Sequence, residues 1–165
     1  MLEQSIREWI EKFLNTPSKT LNNLPPCPFA KQALITDKIV IQQLKPLNHI
    51  SMKDYFKAEI ENYTYNWPKD KEVVVLGCEP TLISATELEA CVDETYKLLE
   101  DRGYVALEDH PDHVESVKDL VFNQGDYALI LIQEADKLDK ARKILAKQDY
   151  YKNWPQEYYE DVVDR

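Results

Sequence analysis

Glycine is scarce in this 165-residue chain: Gly77, Gly103 and Gly125 are the only three, and no two lie close together. A glycine-rich loop that cradles phosphate through its backbone N–H groups is therefore excluded. Positive charge is also in deficit, with 20 lysines and arginines against 30 acids, a net charge of −10 and a pI near 4.8. Such a field repels phosphate backbones and anionic lipid surfaces, so neither nucleic acid nor a membrane is expected as a partner. No apolar run approaches the ~20 residues that a bilayer crossing needs, and Met1-Leu2-Glu3-Gln4 does not open a basic-then-apolar leader, which points to the cytoplasm. Cysteine is limited to Cys27, Cys78 and Cys91. An odd number at wide spacing suits reduced thiols better than a secreted disulfide framework. Neither a Gly-x-Ser-x-Gly elbow nor a His-Glu-x-x-His helix occurs in the sequence.

The remaining composition, 44% hydrophobic and 30% charged, is that of an ordinary globular chain able to bury a core without staples. Helical spacing places Leu2, Ile6, Trp9, Ile10 and Phe13 on one face of residues 2–14. After the proline-rich stretch ending at Pro25-Pro26, Pro28 suits the first position of a short helix with Cys27 as its N-cap. Strands are expected over 38–44, 72–77, 104–107 and 127–132. Helices are expected from Ser51 to Tyr63, from Ser84 or Thr86 to Leu99, and from Glu134 to Lys147. Val114 to Phe122 reads as one or two helical turns. This order predicts an α+β fold, a ferredoxin-like-related sandwich with a mixed sheet of about four strands and helices mainly on one face. Residues 1–148 form the single domain in this reading. Residues 149–165 are an acidic tail whose Tyr150, Tyr151, Trp154, Tyr158 and Tyr159 are too apolar to stay in water, so it docks on the domain or on a second copy of the chain.

A right-handed crossover through the helix between strands 72–77 and 104–107 makes the two strands parallel, with their carboxyl ends at one sheet edge. That edge receives Cys78 and Glu79 from one strand and Glu108, Asp109 and His110 from the other. The returning strand brings Asn123 and Asp126. With one strand between them the two ends stand ~10 Å apart, a span for an ion or small ligand bound through Cys78, Glu79 and Asn123.

His110 and His113, three apart in a turn stiffened by Pro111, can hold a divalent metal such as Zn²⁺ or Fe²⁺ with Asp109 as a further ligand. The plainer alternative is a solvated acidic turn. Cys27 at a helix N-terminus is a candidate nucleophile with a lowered pKa, the alternative being a small buried residue at a chain reversal. Cys27-Pro28-Phe29-Ala30 is close to a glutaredoxin motif, but its second cysteine is missing, so dithiol chemistry is excluded there. Cys91 falls on the apolar face of its helix and is assigned to the core.

Trp9 in the first helix, Pro26-Cys27-Pro28-Phe29-Ala30, His110-Pro111-Asp112 and the asparagine-led turn from Asn123 into Leu129–Glu134 resemble an uncharacterised bacterial family, a domain of unknown function. The resemblance spans most of residues 6–146. It departs at Gln124, where the family has arginine, and at Cys78-Glu79-Pro80, where it has His-Pro. The resemblance implies a link between Cys27, His110 and Asp112 but names no reaction.

Two functions follow as expectations. One is thiol- or metal-dependent chemistry on a small molecule, with Cys27 as nucleophile, His110 as its base and Asp112 orienting the imidazole, or with His110, His113 and one of Cys27, Cys78 or Asp109 around a metal. The other is a non-catalytic adaptor or inhibitor that binds a protein through the acidic surface and aromatic tail.

Overall fold

The computed structural model describes residues 1–164. Along the chain come α1 (Leu2–Trp9), α2 (Ala30–Ile35), β1 (Ile39–Gln43), α3 (Met52–Tyr65), β2 (Val73–Cys78) and α4 (Ala85–Asp101). Then follow β3 (Tyr104–Asp109), the two-residue strands β4 (Ser116–Val117) and β5 (Leu120–Val121), β6 (Ala128–Glu134), α5 (Ala135–Lys147) and α6 (Gln156–Val163). Serines start the two longest helices. The Ser51 hydroxyl accepts from the Asp54 N–H, and Ser84 forms a reciprocal capping box with Glu87.

The fold is α+β, built on a four-stranded mixed sheet in the order β1-β2-β6-β3. β1 and β2 are adjacent and parallel, while β6 runs antiparallel to both β2 and β3. Hence β2 and β3 are parallel with β6 inserted between them, the split β-α-β arrangement that the ferredoxin-like plan also uses. Every side chain on a strand alternates between the two faces. Val74, Leu76 and Cys78 of β2, with Ile130 and Ile132 of β6, meet Phe56 and Ile60 of α3 and Leu88, Cys91 and Val92 of α4. Val75 and Leu129 point the other way, onto Leu2 and Ile6 of α1 and onto Ile10.

Helices therefore cover both faces rather than mainly one. The reason is visible in β2, which is apolar on both sides and would leave one face in water if α3 and α4 were its only cover. Gly77 permits the second layer to come close: a Cβ there would stand 2.8 Å from Leu129 Cδ2 and 2.9 Å from Leu2 Cδ1. α1 is continued by a π turn over Ile10–Leu14, so the first helical stretch is not uniform.

Two local expectations shift, and the tail docks as expected. Residues 116–121 form a hairpin instead of helical turns, because Lys118 at φ 54° reverses the chain and lets Val117 pair with Leu120. The helix after Cys27 begins at Ala30, with Phe29 in the cap position that had been assigned to Cys27. The tail is held to the domain: the Tyr150 hydroxyl donates to the Pro26 carbonyl, and Arg142 of α5 donates to the terminal carbonyls Val162 and Val163 of α6. Leu21, Leu145 and Tyr150 form a small core of their own. Glu157, Glu160, Asp161 and Asp164 face solvent.

Candidate functional site

The carboxyl ends of β2 and β3 and the chain entering β6 do share one sheet edge. Alternation then divides the residues gathered there. His110, one residue beyond Asp109, falls on the α4 side and is 2% exposed. Its Nε2 lies 3.0 Å from the Ile83 carbonyl and 3.3 Å from that of Pro80, and its Nδ1 accepts the Asp112 N–H at 3.1 Å. Two acceptors on one side and a donor on the other assign the Nε2–H tautomer. Both nitrogens are thus engaged in holding the turn.

The residues expected around it also have other positions. The Asp112 carboxylate is exposed and stays 4.0 Å from Nδ1; its backbone, not its side chain, orients the ring. His113 is exposed and donates its N–H to the His110 carbonyl. Among the described residues no group of three or more His, Cys, Asp or Glu side chains is arranged to hold a metal ion, so the His110, His113 and Asp109 set is not assembled. Cys78 is buried on the α4 face, where its thiol donates to the Glu79 carbonyl and burial pushes its pKa up to about 12. Glu79 is exposed.

Cys27 lies on the other face, lining the space under α1 and α2. The N–H groups of Phe29 and Ala30 favour its thiolate, as a helix start should. Burial outweighs them and pushes the thiol up, the reverse of the expected depression. The sheet therefore separates Cys27 from His110, and the proposed thiol–imidazole pair does not form.

What the structure brings together is Asp109, Asn123 and Glu115. The Asn123 amide donates to Asp109 Oδ1 at 2.7 Å and to Glu115 Oε2 at 3.0 Å, and its Oδ1 accepts the Glu115 N–H at 2.6 Å. Burial pushes Asp109 up to about 6; the Asn123 bond opposes this, and the neighbouring Glu115 charge adds to it. Glu115 is raised for the same first reason.

This trio borders a cavity of about 690 Å³ between the sheet, α1, α2, α5 and the tail. Its walls include Ile6, Val75 and Leu131, and its aromatic side holds Phe13, Phe122, Trp154 and Tyr158. Trp154 and Tyr158 stack with centroids 4.9 Å apart. The indole N–H groups of Trp9 and Trp154 are buried in this wall without an acceptor among the described residues. Phe29, Gln32, Thr36 and Lys140 are exposed and form part of the rim.

Sequence reasoning placed Asp109 and Asn123 at the right edge but missed Glu115. A strand reading of Val117 and Leu120 across Lys118-Asp119 was the available signal, since that hairpin carries Glu115 back to Asn123. Searches of protein families, curated proteins and solved structures find no match to this chain.

Proposed function

We propose that this protein binds a small, largely apolar molecule in the cavity on the α1 face of its sheet. The observation that carries the reading is the cavity itself, about 690 Å³ of space walled by apolar side chains and bounded by a few convergent polar groups. Binding sites for small molecules have that size and that mixture. Its apolar walls face water until something covers them, and a ligand would gain from burying them.

The small-molecule reading of the sequence is kept here, with Asp109, Glu115 and Asn123 in place of the Cys27–His110 pair as the polar end. Asp109, pushed up to about 6, is also suited to exchange a proton with what is bound. The adaptor reading is less favoured because Tyr150 and Trp154 pack into the domain's own satellite cluster. Three free thiols suit work in the reducing cytoplasm, and among the described residues no helix is long and apolar enough to cross a membrane.

The test uses a neutral fluorescent probe, N-phenylnaphthylamine, titrated into the full chain. Saturable enhancement is expected, and it should be lost in Ala141→Trp, where an indole fills the cavity from α5. Enhancement that is absent from the wild type, or that survives in Ala141→Trp, would refute the reading.

A further inference from the structure

The polar end of the cavity has a definite charge character. Asp109 and Glu115 are both withdrawn from water, and no lysine or arginine among the described residues forms an ion pair with either. Their shared partner, Asn123, is neutral and has its amide N–H groups and its carbonyl already in use. Glu108 and Asp161 add like charge nearby; His113 acts on Glu115 and His110 on Asp109, the latter with its ring committed to Ile83 and Asp112.

Three of the four cations that line the same cavity are occupied elsewhere. Arg142 donates to the Val162 and Val163 carbonyls, Lys137 pairs with Glu134, and Lys38 donates to the Asp70 carbonyl. Lys140 sits at the exposed rim.

Beside the carboxyl pair runs a file of rings. Phe13 meets Phe122 edge-on at 6.5 Å, Phe122 lies 5.7 Å from Trp154 and 6.0 Å from Tyr158, and the last two stack. The Phe122 N–H donates to the Glu115 carbonyl at 3.0 Å, which sets this file of rings beside the acids. Carboxylates and aromatic faces around one space are the two features that recognise an ammonium group, the first by charge and the second through the ring quadrupole.

We infer that the molecule bound in this cavity is an organic cation: an apolar or aromatic body that ends in an ammonium group held between Asp109, Glu115 and the rings of Phe122 and Tyr158. This inference rests on the small-molecule reading above. An anionic ligand would bring a third negative charge to a site already short of cations. A sugar would leave its hydroxyls against Ile6, Val75 and Leu131. A metal ion would need a donor group that the described residues do not provide.

Three competitors that share one body and differ in head charge decide the matter: phenylbutylammonium, phenylbutanol and phenylbutyrate, each displacing N-phenylnaphthylamine at neutral pH. The ammonium compound should displace the probe at a concentration about tenfold below that of the alcohol, and the carboxylate should be weaker than either. In Asp109→Asn/Glu115→Gln the ratio between the alcohol and ammonium displacement concentrations should shrink to within about twofold.

The amide oxygens of that variant can still accept from Asn123, and far-UV circular dichroism confirms folding. Asp109→Asn alone provides a milder second variant, expected to lose part of the preference. Equal displacement by phenylbutyrate and phenylbutylammonium, or a preference that persists in the double variant, would overturn the inference while leaving the cavity reading intact. Failure of the neutral probe to bind at all would remove both.

Discussion

The two faces of the sheet are made from the same strands yet differ in how they are filled. On the α3 and α4 side, Phe56, Ile60, Leu76, Leu88, Leu99 and Ile132 are each at most 2% exposed and close over one another. On the α1 side the buried set is smaller, Leu2, Ile6, Ile10, Val75 and Leu129, and beyond it the sheet faces a cavity roofed by α2, α5 and the tail. The difference has a simple origin. α3 and α4 are crossover helices whose length and position are imposed by the strands they join, whereas the α1 side is covered by pieces from both chain ends that meet only at their rims. One face therefore carries stability, and the other is available for function.

The sharpest way to break this comparison is to truncate matched side chains on the two faces. Phe56→Ala should cost about 3–5 kcal/mol, because it opens a void in a closed core. Leu131→Ala, in a wall that already borders empty space, should cost well under half of that. Urea denaturation of both variants measures the contrast, and equal losses would mean that the second face is as tightly built as the first.

The next effect concerns the tail as a roof. Deleting residues from Asp149 onward removes Tyr150, Trp154 and their contacts with Leu21 and Leu145. A loss of about 2–4 kcal/mol in stability is expected from the aromatic area returned to water. The same truncation should abolish binding of N-phenylnaphthylamine. Thermal unfolding together with the probe titration checks both parts, and retained binding would show that the tail is not part of the site.

A smaller effect follows from Asp109. Its folded value of about 6 lies above the ordinary carboxylate value of 3.8, so the folded state holds its proton more tightly than the unfolded chain does. The stability that this group contributes is complete below pH ~4 and is lost as the pH rises through ~6, an effect on the order of 3 kcal/mol. Glu115 is shifted in the same direction, so its contribution also falls with rising pH. Asp109→Asn should flatten the decline between those limits and leave the variant more stable than the wild type in mildly alkaline buffer. Denaturation at a series of pH values reads this directly, and an unchanged slope would place the titration elsewhere.

The smallest expected effect is on Cys27, for which burial outweighs the two backbone N–H groups. Alkylation by iodoacetamide at neutral pH should be slower in the native protein than in the unfolded chain, and phenylbutylammonium should slow it further by occupying the same cavity. Mass spectrometry of the alkylated peptide follows the rate. A native thiol that reacts faster than the unfolded one would restore it as a candidate nucleophile.

Much of the architecture was legible because the relevant signals are local. The β-branched run in β2, the serine caps at Ser51 and Ser84, and the helical spacing of Leu88, Cys91, Val92, Thr95 and Leu99 each encode one element within a few residues. Even the shared edge of β2 and β3 could be derived, since the handedness of a crossover is nearly invariant. The candidate site was less accessible. Asp109 and His110 are neighbours in sequence with similar polar character, yet the pleat sends one to the cavity and the other to the carbonyls of Pro80 and Ile83. The expectation that Cys27, His110 and Asp112 work together came from the family resemblance, whereas the pleat turns His110 away from the space that Cys27 lines.

By itself the sequence determined the four sheet strands and the helices α3, α4 and α5 between and after them, the parallel crossover, the acidic surface and the set of polar residues available at the end of the sheet. Tertiary structure decided which of those residues meet. The register of β6 between β2 and β3 fixes the parity of every side chain at the edge, and the β4–β5 hairpin returns Glu115 to Asn123. Docking of the tail, through contacts such as that between Tyr150 and Pro26, adds one wall of the cavity from more than a hundred residues away. Those decisions rest on long-range packing, in which the free energy of one contact depends on all the others being in place, and no local pattern of residue types encodes that.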